Sequence, residues 1–164
     1  MNSLSKKIFW ILFLGGLWGV SETFLGEYLF SNRFIFSSAI LCIIGLFLLF
    51  SARKLIEFPH SGFLMGILTG VIKVSAQGPS SHVWAIILLG LYFDLFYDLF
   101  DWRRGKILER FAAVFSIFFL VSVTMALLSV GDWDSHYLRK LLNYVIINGS
   151  VASLVFSTVS SIFR

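Results

Sequence analysis

The feature that most constrains this chain is the recurrence of long apolar stretches joined by short polar connectors. They fall at 8–30, 34–50, 61–77, 83–100, 111–130 and 141–163. An α-helix rises 1.5 Å per residue, so about 20 apolar residues cross a hydrocarbon layer about 30 Å thick. Six stretches near that length predict an all-α fold: an integral membrane bundle of six transmembrane helices, forming one domain over 1–164. Composition agrees. Only 13% of residues are charged, against about 25% in soluble domains. The stretch 61–77 is the shortest and carries Lys73, so it either crosses or re-enters. The last stretch is studded with Asn and Ser and either crosses or lies partly in the interface. The first stretch follows Lys6 and Lys7 as a signal peptide would, but it is too long and contains Glu22. It is therefore expected to be a retained helix.

Charge placement sets the expected orientation. With six crossings, Lys6, Lys7, Arg53, Lys54, Arg103, Arg104, Lys106, Arg110 and Arg164 lie on one side. Arg33, Arg139 and Lys140 lie on the other, and Lys73 falls within a span. The excess of basic residues marks the cytoplasmic face of a cell-membrane protein, which predicts that both termini are inside and that the loop 131–140 is outside. The same placement accounts for the basic pI without invoking nucleic acid. Cys42 is the lone cysteine, so neither a disulfide framework nor a thiolate metal site is expected. His60, His82 and His136 lack metal-ligand spacing. There is no phosphate-binding GxxxxGK[ST] loop and no GxSxG nucleophile turn. No catalytic residue, metal or cofactor is expected, and the chain is not read as an enzyme.

The polar residues inside the spans carry the functional signal. An ionisable group at the bilayer centre costs about 2.5–3.5 kcal/mol on insertion scales, so it pairs or faces water. Counting helix rise from the basic side, Glu22, Lys73, Gln77, His82, Trp84 and Asn148 converge at one level in the outer half, near Glu27 and Asn143. That predicts a substrate-binding cavity open to the outside. The plainer alternative is a structural Glu22–Lys73 pair, with Trp84 anchoring an aromatic belt and Glu27, Gln77 and His82 merely interfacial. Asp94 and Asp98 share one face of the fourth span. They serve as partners for the basic loop, as a proton or cation relay, or as a docking face. Gly15 and Gly19 form a GxxxG, and Gly62, Gly66 and Gly70 repeat every fourth residue. Such stripes let helices approach closely, either within the bundle or, for Gly15 and Gly19, against a separate membrane partner. The serines of the last span read as a packing face.

The run from Gly62 through Gly66 and Gly70 to Lys73, then Gly78-Pro-Ser, then Gly90-Leu-Tyr-Phe-Asp94-Leu, resembles the middle of the substrate-binding S components of energy-coupling factor transporters. The first helix, with Leu17-Trp-Gly-Val-Ser-Glu22, is compatible with that family. Where the family usually carries Ala-x-x-x-Ala as a docking motif, this chain has Gly15-x-x-x-Gly19. The resemblance implies capture of a water-soluble vitamin or related micronutrient near the outer surface. It also implies two kinds of partner, a membrane coupling subunit and cytoplasmic ATPases. Two other readings of the residues stay open. One is an autonomous secondary transporter or channel using Glu22, Lys73, Asp94 and Asp98. The other is a ligand-free membrane assembly factor.

Overall fold

The computed structural model describes residues 3–34, 36–78, 80–100, 102, 105–128 and 135–162. Among these, every regular element is helical: α1 (Ser3–Val20), α2 (Gly26–Ser31), α3 (Ser37–Ile56), α4 (Ser61–Gln77), α5 (Ser81–Leu99), α6 (Ile107–Leu128), α7 (Ser135–Asn143) and α8 (Ser150–Ile162). A π-helical turn, Ser21–Leu25, joins α1 to α2 without a break, and a second, Tyr144–Gly149, joins α7 to α8.

Five helical runs are long and apolar enough to cross a membrane: Leu4–Ser31, Ser37–Ile56, His82–Leu99, Ile107–Leu128 and Leu141–Val159. Ser61–Gln77 is apolar but shorter, at 17 residues. Large apolar side chains cover the outside of the bundle, among them Phe9, Leu12, Phe13, Phe24, Leu95 and Leu127. Soluble proteins rarely expose contiguous apolar surface on this scale. The chain is a multi-pass membrane protein whose outer surface is solvated by lipid.

The helices close into a ring. α1 packs on α3 and α4, α4 on α5, α5 on α6, α6 on α8, and α8 returns to α3. Facing residues fix the directions. Gly15 lies against Met65 and Leu68 while Gly19 lies against Ile72, so α1 and α4 run parallel. Gly62 meets Gly90, Gly66 meets Ile86 and Ile87, and Gly70 meets Val83, so α4 and α5 run antiparallel. Trp18, Phe93, Phe118 and Phe156 are fully buried and fill the centre of the ring.

Glycines set the closest approaches. A Cβ at Gly90 would stand 2.3 Å from the Gly62 carbonyl oxygen, so the α4 and α5 backbones touch there. At Gly45 a Cβ would strike the Trp18 indole at 2.8 Å. Gly15 and Gly19 are buried and face α4 of the same chain. The surface that the sequence offered to a separate partner is thus occupied internally, because α4 runs alongside α1 and brings Met65, Leu68 and Ile72 onto it.

At the end where α1 begins, α5 organises the bundle. The Asp94 carboxylate accepts hydrogen bonds from the backbone N–H of Gly62 at 3.0 Å and of Phe63 at 2.8 Å. It therefore caps α4 from a neighbouring helix, satisfying amides that the first turn cannot pair. Arg53, at the end of α3, pairs with Asp98 and lies 4.0 Å from Asp94. Arg53 also donates to the Phe58 carbonyl at 2.7 Å and covers the Tyr97 ring. Both aspartates are thus engaged by Arg53, with Asp94 capping α4 as well; Arg103 and Arg104 lie outside the described residues. Trp102 folds back to stack on Tyr97 and Phe93.

Candidate functional site: a polar cavity at the mouth of the ring

At the opposite end, where α2 and α4 finish and α3 and α5 begin, the ring encloses a cavity of about 420 Å³. Its floor is Leu41, Cys42, Ile86 and Leu89, and its rim carries Glu27, Phe30, Ser31, Gln77 and His82. Glu22, Lys73, Ser38 and Tyr144 line its walls. Ligand sites typically occupy about 300–1,000 Å³ with a few polar groups in apolar walls, and this cavity matches that description.

The polar face of α4 builds one wall. Thr69, Lys73 and Gln77 stand four residues apart, so they align along one side of the helix. Each bonds to a carbonyl of the helix running beside it. Thr69 donates to Gly15 at 3.1 Å, Lys73 to Glu22 at 3.4 Å and Gln77 to Thr23 at 3.2 Å. The π-turn makes the Glu22 acceptor available. The Gly26 N–H bonds to the Ser21 and Thr23 carbonyls rather than to that of Glu22, and the Lys73 ammonium takes the carbonyl so released. Lys73 also donates to the Glu22 carboxylate at 3.3 Å. Both side chains are buried, and each carries the charge the other needs. Gly78, at φ +79°, ends α4 directly beyond Gln77. Such a backbone favours glycine, and it lets the chain turn at the rim.

The structure brings Glu22, Lys73, Gln77 and His82 together around one space. Two other expected members stand elsewhere. Trp84 is 59% exposed and outside the lining. It is two residues past His82, and 200° of helical turn carries it to the opposite face, the position of a belt anchor. Asn148 is buried beside the cavity residue Tyr144 in the second π-turn, but it too is not part of the lining. Tyr144, Cys42, Ser31 and Ser38 were missed. Cys42 and Ser38 share the α3 face that points inward, a periodicity visible in sequence. Tyr144 had no such signal, because its position depends on the π-turn. Both π-turns border the cavity, and π-helical turns are frequent at functional sites.

Among the described residues, no group of three or more His, Cys, Asp or Glu side chains is placed to hold a metal ion. No protein-family model, curated protein or solved structure matches this chain.

Proposed function

We propose that this chain is the substrate-capture subunit of a multi-component importer in the cell membrane, spanning the bilayer six times with both termini in the cytoplasm. Its ligand would be a water-soluble vitamin or related micronutrient. One observation carries this reading: a polar cavity, built around a buried Glu22–Lys73 pair, opens at one mouth of a bundle whose outer surface is apolar. The asymmetry of loop charges puts that mouth outside. The two ends of the short helix Ser61–Gln77 lie with opposite ends of the bundle, which supports reading it as the sixth crossing. The chain carries no phosphate-binding loop, so energy for release would come from a coupling subunit and ATPases, as the resemblance to S components implies.

The competing reading, an autonomous ion-driven transporter, needs Asp94 as a relay. Both Asp94 oxygens are already occupied by the α4 amides, which favours capture over relay. The test is mass spectrometry of small molecules retained by gently purified protein. A stoichiometric polar metabolite, absent from the Lys73→Met and Gln77→Leu variants, is the expected result. Protein that retains nothing, yet alone drives proton-coupled uptake in liposomes, would overturn capture in favour of the transporter.

A further inference from the structure

The charged side chains that line the cavity do not balance. Glu22 and Glu27 both line it, and among the described residues of the lining Lys73 is the sole lysine or arginine. Lys73 is already committed to the Glu22 carboxylate and carbonyl. Glu27 stands exposed at the rim, with no ion pair among the described residues. Counted by its carboxylates, lysines and arginines, the lining among the described residues holds one uncompensated negative charge.

Helix ends do not cancel that excess. α2 and α4 present C-termini to the mouth, while α3 and α5 present N-termini. Their partial charges are equal and opposite in pairs, so the side chains decide the sign. A low-dielectric wall focuses such a field into the cavity. The floor below it is apolar, from Leu41, Ile86 and Leu89.

We infer that the ligand is a small organic cation, a protonated amine or quaternary ammonium on an apolar body, with its charge held at Glu27 and its body on the floor. This rests on the capture reading and narrows it. An anionic ligand would have to detach Lys73 from Glu22 and would meet Glu27 at the entrance.

The test reads the cavity directly. Ser38, on the wall, is replaced by cysteine in a Cys42→Ser background, with the protein in lipid nanodiscs. Cationic, anionic and neutral methanethiosulfonates of similar size are compared. The cationic reagent is expected to react roughly tenfold or more faster than the anionic one, relative to the same pair of reagents at a Ser135→Cys control. Glu27→Gln, a change at the exposed rim that leaves the buried pair intact, should collapse that ratio. Phenethylamine at millimolar concentration should slow the modification, while 3-phenylpropionate and 2-phenylethanol should not. An anionic preference, or equal protection by all three compounds, overturns the cation assignment; a retained neutral or anionic metabolite would then leave capture standing. If the cationic preference is present but the protein retains no metabolite, capture fails instead.

Discussion

Lys73 and Asp94 show how two buried charges in one bundle play different parts. Asp94 accepts from two backbone amides that have no other acceptor in the helix, and it sits beside Arg53. Removing it leaves those two amides unsatisfied and takes a nearby carboxylate from the buried Arg53 guanidinium. Asp94→Leu is therefore expected to cost about 3–5 kcal/mol, within the range for breaking a buried pair. Lys73 borders a cavity that water can enter. Lys73→Met leaves Glu22 facing that water, so the loss should be about 1 kcal/mol, the scale of a solvated ion pair, while ligand retention should vanish. Thermal unfolding of both variants in the same detergent checks the order. Equal destabilisation would make Glu22–Lys73 a structural pair and remove the basis for a binding site.

At the scale of helices, small residues decide the spacing. Gly90 and Gly62 bring α4 and α5 into backbone contact, and backbone cannot swing aside as a flexible side chain can. Gly90→Ala should separate the two helices at a cost of about 1–3 kcal/mol. Gly16 has nothing within 4 Å of its Cβ direction, so Gly16→Ala should be neutral or slightly stabilising through helix propensity. A comparison of melting temperatures distinguishes the two. Much at this scale was legible beforehand. The bounds of α4 coincide with the expected 61–77, because Pro59 and Gly78 punctuate it on either side. α6 begins at Ile107, before the expected 111, and its signal was present. Glu109 at the third helical position accepts from the Lys106 N–H at 2.8 Å, half of a capping box. The π-turns were not legible. They answer to contacts from α4 and α6 and leave no residue pattern of their own.

For the whole molecule, depth was legible and azimuth was not. Rise per residue fixes how far a side chain lies along the bundle, which is why Glu22, Lys73, Gln77 and His82 could be read as one level. It does not fix which way a side chain points, and Trp84 and Asn148 lie outside the cavity lining for that reason. The inward glycines Gly15 and Gly19 were ambiguous on the same ground. Orientation across the membrane is a separate matter, tested by single cysteines in a Cys42→Ser background. Ser135→Cys in intact cells should react with an impermeant maleimide, and Gly105→Cys should react only after the membrane is opened. The reverse pattern would turn the cavity towards the cytoplasm and exclude capture from outside.

The parallel pairing of α1 with α4 bears on how the protein is made. α4 has 17 residues and a lysine in its last turns, so it is a poor candidate to settle in the bilayer by itself. Its polar face becomes acceptable to lipid only when the Gly15, Glu22 and Thr23 carbonyls of the first helix receive Thr69, Lys73 and Gln77. α1 leaves the ribosome before α4 and is thus the receptor for a segment that emerges about fifty residues later, a separation matched by the sequence distances of 51 and 54 between the bonded residues. The nascent chain must hold Glu22 unpaired through that interval, and membrane integration of the fourth helix is conditional on the first.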